Sequence, residues 1–514
     1  MWQRRRRPAR APVAGHCAGH SAGDTAGDTA GGHGRLSPVL RATRPPTRKF
    51  ITWPQLAVLT VASVGSLGSA PALAVFGLAS VFLYVLPALV FLLPISLVSA
   101  ELSSGWPGGV YNWVREGISP PMGLLAVWCE FAQTIFFYPA LLAQVAGTLA
   151  YVFDPHLAGN GVYNAVVIIV LFWAGVLVSS RGMALVADFS SSGTLIGTFI
   201  PTVIIVGLGI AYLVQGKHSA APMSSGHLLP AWHGLASIVL VVSSFFTYAG
   251  VEVNAVHVDE LRNPGRDYPR SIYLAVALVL VVFISSTLAI SWVVPSHQIS
   301  LTVGVMQAFN RLLTHFGVTW AVPLIAIALA VGALAGMWTW LDGPSEGLLR
   351  IGREQGFLPP YFQRVSRKGI EVRILAAQGA VITVIALLYA FIPVVSHAYW
   401  IFAAMATQVY LIMYVLMFIA AIRLRHLQPD RARGYRAPAL GLLTVLGVVS
   451  SVVALVIGFI PPAQFGHSDP LVYAGLILAG IAAVGLAPPL LMDRFRKPEW
   501  KAAPSAGGVS PGPG

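Results

Sequence analysis

The chain has 514 residues, of which 56% are hydrophobic and only 10% are charged, and its mean hydropathy is +0.74. A composition this apolar excludes a soluble globular protein and indicates a polytopic membrane protein. The formal net charge of +13 would suggest a nucleic-acid partner in a soluble chain, but in a membrane chain the positions of the charges decide their meaning.

Lys and Arg concentrate in the N-terminal tail, in alternate loops and near the C terminus, and only Lys217 and Arg311 lie in the remaining loops. This asymmetry is the positive-inside pattern, so both termini are expected in the cytoplasm. The expected partners are therefore the lipid bilayer and a transported solute, with or without self-association into a homo-oligomer, and not nucleic acid.

Residues 1–48 carry the basic run Arg4–Arg7 among many Gly, Ala, His and Pro, and contain no apolar stretch of signal-peptide length. This composition predicts a disordered basic cytoplasmic tail. The basic run has two interpretations, contact with anionic lipid headgroups and a plain solvated segment, and the second is favoured.

Apolar runs of roughly 20 residues, the length that crosses a bilayer, predict twelve transmembrane helices. We divide them into spans one to five within residues 49–214, spans six to ten within 215–426 and two peripheral spans within 427–497, followed by a second disordered tail at 498–514. The predicted spans are 53–75, 77–103, 121–152, 161–180, 184–214, 232–258, 270–294, 318–343, 372–393, 396–424, 438–460 and 471–492.

Glycine and serine interrupt the first span at 65–69. Gly65 and Gly68 allow the backbone to leave helical geometry, Ser66 and Ser69 can satisfy the freed backbone groups, and Pro71 suits the first turn of a resumed helix. The free N–H groups of that half-helix predict a site for an anion such as an amino-acid carboxylate. The alternative is a small-residue packing face between helices.

The sixth span has a second interruption, Tyr248-Ala249-Gly250-Val251-Glu252. A carboxylate inside the membrane is functional by default. Glu252 could instead be a structural group bonded to a neighbouring helix, or a carboxyl that burial keeps protonated. Carbonyls freed before Gly250 could accept hydrogen bonds from a substrate ammonium, so the two interruptions together match both ends of a zwitterion.

The remaining chemistry-bearing residues give weaker signals. Glu101 is interpreted as a helix-end group paired with Arg or Lys, and Glu130 as a proton relay or a group bonded to another helix. His257, which precedes Asp259, Glu260, Arg262 and Arg266, indicates a salt-bridged inner gate or a solvated loop, with a pH-sensing role open. Cys17 and Cys129 are not expected to pair.

The chain has no Cys/His cluster, no phosphate-binding loop and no visible nucleophile and base pair. We therefore expect no metal, no cofactor, no enzymatic activity and no transport driven by ATP hydrolysis in this chain.

Four stretches resemble the amino acid–polyamine–organocation (APC) transporters, and most closely the bacterial glutamate:GABA antiporter family. They are Tyr248–Glu252, His257–Pro269, the Ser300–Gln307 segment before the eighth span and Gly343–Ser345 at that span's cytoplasmic end. The similarity extends from about Lys49 to Arg496, and the long run from Asn263 to Pro269 is its most specific part.

The resemblance implies a LeuT-like all-α fold, in which spans one to five and six to ten form a 5+5 inverted repeat around broken helices one and six. It also implies alternating access, exchange of amino acids and a place in the bacterial cytoplasmic membrane. The implied substrate site comprises Gly65, Ser66, Gly68, Phe246, Tyr248, Gly250, Tyr410 and Tyr414.

Two of these assignments have plainer alternatives. Tyr410 and Tyr414 are four residues apart, which places them on one helical face, and they could also be interfacial or core aromatics. Phe246 stands where the relatives have an aromatic that gates the substrate, and it could also be ordinary packing.

The chain also departs from the antiporters. Gly68-Ser69 replaces an aromatic-acidic pair, and Gly336 stands where they carry a glutamate, so we expect room for a neutral or apolar substrate side chain. Because the chain stops soon after Lys501, a C-terminal plug is not expected. The expected function is an exchanger. The alternatives are a proton-coupled permease and, from another class, an amino-acid sensor or channel.

Overall fold

The computed structural model describes residues 51–64, 67–180, 193, 195–366, 369–392, 394–466 and 469–501. Contacts separate Met1–Arg48 from Lys49–Gly514, and every described residue belongs to the second unit. The first predicted disordered tail, residues 502–514 of the second one, Cys17, and the predicted site residues Gly65 and Ser66 lie outside the described residues. The first residues of the second tail are described, and Pro498–Trp500 forms a 3-10 turn.

The first half of the described chain is a succession of helices joined by short turns. Its α-helices are α1 (Trp53–Val64), α2 (Ala70–Ala74), α3 (Ser80–Pro87), α4 (Leu93–Gly105), α5 (Gly109–Gly117), α6 (Pro120–Phe153), α7 (Gly161–Ser179) and α8 (Ile200–Val214). Single π-helical turns at Ala88–Leu92 and Leu195–Phe199 lead into α4 and α8, and a 3-10 turn covers Leu67–Ser69.

The second half continues in the same way. Its α-helices are α9 (Val242–Tyr248), α10 (Pro264–Val293), α11 (Gly304–His315), α12 (Val322–Gln355), α13 (Val372–Leu388), α14 (Val395–Leu427), α15 (Leu440–Ile457), α16 (Pro470–Gly480) and α17 (Ala487–Phe495). A 3-10 segment covers Val251–Glu260, and a π-helical turn at Ile481–Leu486 joins α16 to α17.

Nine of the helical stretches within the described ranges are long and apolar enough to cross a bilayer, and no strand occurs there. They coincide with predicted spans two to five, seven, eight, ten, eleven and twelve. The ninth span corresponds to the shorter α13, and the first and sixth spans are interrupted as expected. The all-α membrane class is therefore confirmed, while the total of twelve spans stays a prediction.

The eighth span differs from its prediction. Helix α12 continues to Gln355, so Gly343–Ser345 lies inside the helix and not at its end. The helix ends where Gly356 adopts the left-handed conformation, at φ +76°, which suits a C-terminal cap. The predicted span ended at residue 343 because hydropathy falls where polar residues begin. The helix continues because polar residues can also adopt helical backbone geometry.

The two interruptions position the centre of the molecule. The turn Leu67–Ser69 precedes α2, which has Pro71 in its first turn as predicted. This turn also packs against α9, whose end at Tyr248 forms the second interruption. Helices α6 and α14 pack extensively against each other and are the most deeply buried of the long helices. Both interruptions therefore lie close together beside a rigid pair of helices.

A buried ion cluster fixes the end of α4. The Glu101 carboxylate is 3% exposed and accepts hydrogen bonds from Arg425 Nε at 3.0 Å, Arg433 Nη1 at 3.0 Å and Ala437 N at 2.8 Å. The Arg425 Nη2 nitrogen lies 2.5 Å from Glu101 Oε2, the oxygen that also accepts from Ala437 N. The expectation that Glu101 pairs with a basic residue at its helix end is confirmed.

Removing the Glu101 charge should destabilise this cluster, because two guanidinium groups would keep one neutral partner. We expect Glu101→Gln to lower the free energy of unfolding by about 3 kcal/mol. The matched control, Glu354→Gln, removes the exposed pair with Arg350 and should cost less than about 1 kcal/mol. Denaturant unfolding of the two purified variants measures the difference, and equal midpoints would contradict this account.

Candidate functional site

The second interruption holds a buried carboxylate between two tyrosines. Glu252 is 2% exposed, and its Oε1 atom accepts a hydrogen bond from the Tyr410 hydroxyl at 2.6 Å. The Tyr414 hydroxyl donates to Oε2 at 2.7 Å, while its oxygen accepts from Gly250 N at 2.8 Å. The Gly250 N–H also lies 3.1 Å from Oε2. Predicted site residues from α14 and from the interruption therefore meet at one carboxylate.

The hydrogen positions in this cluster follow from its connectivity. The Tyr414 hydroxyl has one proton, which it can donate to Glu252 Oε2 while its oxygen accepts from Gly250 N. The bond between Oε1 and Tyr410 can also run in the opposite direction, since a protonated carboxyl group would donate there and the hydroxyl oxygen would accept. The cluster can hold Glu252 either with or without a proton.

Gly250 is required by the backbone and by the space around it. Its φ is +96°, in the left-handed region, and an added Cβ would lie 2.3 Å from the Trp340 ring. Trp340 in turn packs edge-on against Tyr410, with ring centroids 6.3 Å apart. The α12 helix thus closes the carboxylate cluster from a third side.

The two aromatic residues of α9 have different environments. Phe246 is partly exposed and its ring centroid lies 5.3 Å from that of Phe137 on α6. Tyr248 is fully buried, and its hydroxyl donates to the Tyr84 carbonyl at 2.9 Å. The hydroxyl of Tyr248 is therefore already used in holding α9 to α3, and Phe246 is the more accessible of the two.

The first interruption is held by a residue that the sequence analysis missed. Gln144 of α6 donates from Nε2 to the Gly68 carbonyl at 2.7 Å, and an added Cβ on Gly68 would lie 2.0 Å from Gln144 Oε1. The expectation of room beside Gly68 is therefore wrong, because Gln144 fills that space. A glutamine in an apolar helix was a signal that motif comparison passed over.

Ser69 also departs from its prediction. It was expected to satisfy freed backbone groups, but its Oγ is buried and has no hydrogen-bond partner within the described part of the chain. Gly336 behaves as expected, since nothing lies within 4 Å of a Cβ built there. Space for a side chain therefore exists at Gly336 and not at Gly68.

Glu130 lies within electrostatic range of Glu252 and Tyr410. It is partly exposed, and no hydrogen bond or ion pair reaches it from any residue that the structure describes. His257 has its Nδ1 atom 3.2 Å from Glu260 Oε2, without hydrogen-bond geometry. The His257 and Glu260 side chains therefore face each other in this segment.

The described residues contain no group of three or more His, Cys, Asp or Glu that could hold a metal ion. The site combines interrupted helices, a titratable carboxylate and aromatic walls inside an all-α membrane body. These features define a polytopic membrane transporter.

The chain belongs to the amino acid permease family, whose family model matches residues 51–482. It is 32% identical over 441 residues to an uncharacterized transporter of Legionella pneumophila, covering 85% of this chain and 95% of the relative. It is 27% identical over 450 residues to a glutamate/gamma-aminobutyrate antiporter of Lactococcus lactis, covering 85% and 89%. A probable agmatine/putrescine antiporter of the same species is 24% identical over 416 residues, covering 79% and 87%.

These similarities confirm membership of the APC superfamily and the resemblance to glutamate:GABA antiporters. The family is one of transporters, and the chain is a multi-pass membrane protein.

The Gly250 contacts lead to a prediction about the second interruption. Gly250→Ala should impair function severely, because an L residue is strained at φ +96° and its methyl group would displace Trp340 from the carboxylate cluster. Gly265→Ala is the matched control, since an added Cβ there meets nothing within 4 Å. We expect the backbone strain to raise the free energy of the folded site by about 2 kcal/mol. Solute uptake by the first variant should therefore fall at least about tenfold. Near-normal uptake by Gly250→Ala, at equal amounts of folded protein, would show that the geometry of the second interruption is not needed for transport.

Proposed function

We propose that this protein is a secondary active amino-acid exchanger that works by alternating access in the bacterial cytoplasmic membrane, with both termini in the cytoplasm. The observation that carries the proposal is the contact between the Leu67–Ser69 turn and α9, which brings the two interrupted helices together, with a buried carboxylate at the second interruption. Residues 49–214 and 215–426 would be the two inverted repeats of a LeuT-like core.

The α-amino and α-carboxyl groups of the substrate would bind to backbone at the interruptions. The N-terminal end of α2 offers N–H groups to a carboxylate, and the unpartnered Ser69 Oγ is a further donor beside it. Carbonyls at the end of α9 would accept from the ammonium group, with Phe246 beside the substrate. The resemblance to the APC transporters also assigns Gly65 and Ser66 to the site that binds these two groups.

The substrate side chain is proposed to be neutral or apolar. Gly336 leaves open space where the antiporters carry a glutamate, so this position offers no carboxyl group to hydrogen-bond a polar or charged substrate end. Backbone recognition does not depend on that position. A shared α-amino-acid clamp with a different side-chain preference is the result.

Coupling is proposed to run through Glu252. Its Oε1 atom contacts Tyr410 by a bond that can reverse direction when the Tyr410 proton turns to another acceptor, so the cluster can accommodate a proton on Glu252. This feature also favours the second candidate function, a proton-coupled amino-acid permease. A sensor or channel built on the same fold would show no exchange at all.

Counterflow in proteoliposomes tests the proposal directly. We expect vesicles loaded with an unlabelled neutral amino acid to accelerate uptake of the labelled one several-fold, because an exchanger returns loaded faster than empty. Competition by a panel of amino acids should rank neutral ones above glutamate and GABA. A channel would conduct without this acceleration, and efficient glutamate/GABA exchange with neutral amino acids inert would contradict the proposed preference.

The role of Glu252 has its own test. Glu252→Gln preserves the cluster, because the amide oxygen can accept from Tyr414 and Gly250 while Nε2 donates to Tyr410. With the charge fixed as neutral, we expect counterflow to persist while its dependence on pH flattens. Accumulation driven by a proton gradient should also be lost if the wild type shows any.

Glu116→Gln provides a control for general charge effects, since Glu116 pairs with Arg115 and is 29% exposed. It should leave the pH profile unchanged. If Glu252→Gln retains both the wild-type rate and the wild-type pH profile, Glu252 has no part in coupling.

A further inference from the structure

A cavity of about 30 Å³ lies beside the first interruption, lined by Leu67, Gly68 and residues from α6, α11, α12 and the turns before α8 and α11. Its polar groups come from Gln144, Thr148, Thr198 and Thr302. No Asp, Glu, Lys, Arg or His is among the described residues that line it. The cavity is therefore uncharged, with a few polar groups in a mostly apolar wall.

Gln144 connects this cavity to the interruption. Its side-chain amide covers Gly68, donates to the Gly68 carbonyl at 2.7 Å and forms part of the cavity wall. A carbonyl freed from helical bonding inside a membrane needs such a donor. This hydrogen bond between α6 and the interrupted span therefore helps to position the wall.

The cavity is separate from the aromatic pair of α9 and α6. Phe137 and Gln144 are seven residues apart, so they lie on the same face of α6 at a separation of roughly 10 Å along its axis. Phe246 contacts Phe137, whereas the cavity is lined from Gln144 onward by Val145 and Thr148. The two regions present different walls to a substrate.

We propose that this cavity is a subsite for a small, uncharged side chain of the transported amino acid, and that Gln144 is the positioning residue that sets its size. This inference rests on the proposed transport function. A volume of about 30 Å³ holds about two water molecules, which is enough for a methyl or hydroxymethyl group. A charged group would be desolvated there without a partner of opposite charge.

Gln144→Met tests the hydrogen bond at nearly constant volume. Gln408→Met is the matched control, because Gln408 also donates from Nε2 to a backbone carbonyl, that of Leu455 at 3.0 Å, and also covers a glycine, Gly458. Gln408 is absent from the cavity wall. In counterflow with alanine and serine, we expect Gln144→Met to raise KM about tenfold with less than about a twofold change in maximal rate. Gln408→Met should leave KM within about twofold.

Gln144→Ala tests the size of the subsite. Removing the amide enlarges the cavity, so the competition order should shift from alanine and serine toward valine and leucine. Gly68→Ala should raise KM by displacing the Gln144 amide, but should have little further effect in the Gln144→Ala background, because both changes act on one contact.

The outcomes separate this inference from the function on which it rests. If the wild type exchanges no amino acid, the proposed function fails. If the wild type exchanges amino acids but Gln144→Met changes KM no more than Gln408→Met, or Gln144→Ala keeps the wild-type order of competitors, the subsite is wrong and the proposed function stands.

Discussion

The burial of Glu252 is the constraint on which the centre of this protein depends. A carboxylate inside a membrane protein is costly unless hydrogen bonds replace water, and here two tyrosine hydroxyls and one backbone N–H provide them. The backbone donor is available only because Gly250 leaves helical geometry, and the hydroxyl donors are available only because α14 presents Tyr410 and Tyr414 on one face. The interruption, the register of α14 and the carboxylate therefore specify one another.

Each interrupted helix has its own polar tie to a continuous one. The second interruption is bound to α14 through Tyr414 and Gly250, and the first is bound to α6 through Gln144 and Gly68. Since α6 and α14 pack extensively on each other, both hydrogen bonds join an interrupted helix to the same pair of continuous helices. A movement of either interrupted helix relative to that support must lengthen or replace a hydrogen bond between a backbone group of the interruption and a single side chain. The two ties are therefore among the contacts that a movement of either interrupted helix would change.

Sequence patterns predicted the parts of this arrangement that lie within one helix. Apolar runs gave the nine long helices, Gly and Pro gave the interruption before α2, and four-residue spacing gave the common face of Tyr410 and Tyr414. Contacts between helices were not accessible in the same way. Gly68 suggested open space because nothing in its own span indicates that Gln144, 76 residues later, fills it. Trp340 and the Tyr248 to Tyr84 bond were missed for the same reason, since periodicity reports which face is apolar and not which side chain it meets.

The two deeply buried carboxylates described above are stabilised by opposite means. Glu101 faces two guanidinium groups, so its negative charge is compensated by fixed positive charges, and the cluster serves to hold α4 to α14 and to the loop after it. Glu252 is surrounded by neutral donors, which orient its charge without cancelling it. In the proposed coupling, a proton would supply that compensation at the bond to Tyr410. The composition of the hydrogen-bonding shell, more than burial, distinguishes a structural carboxylate from one suited to a transport cycle.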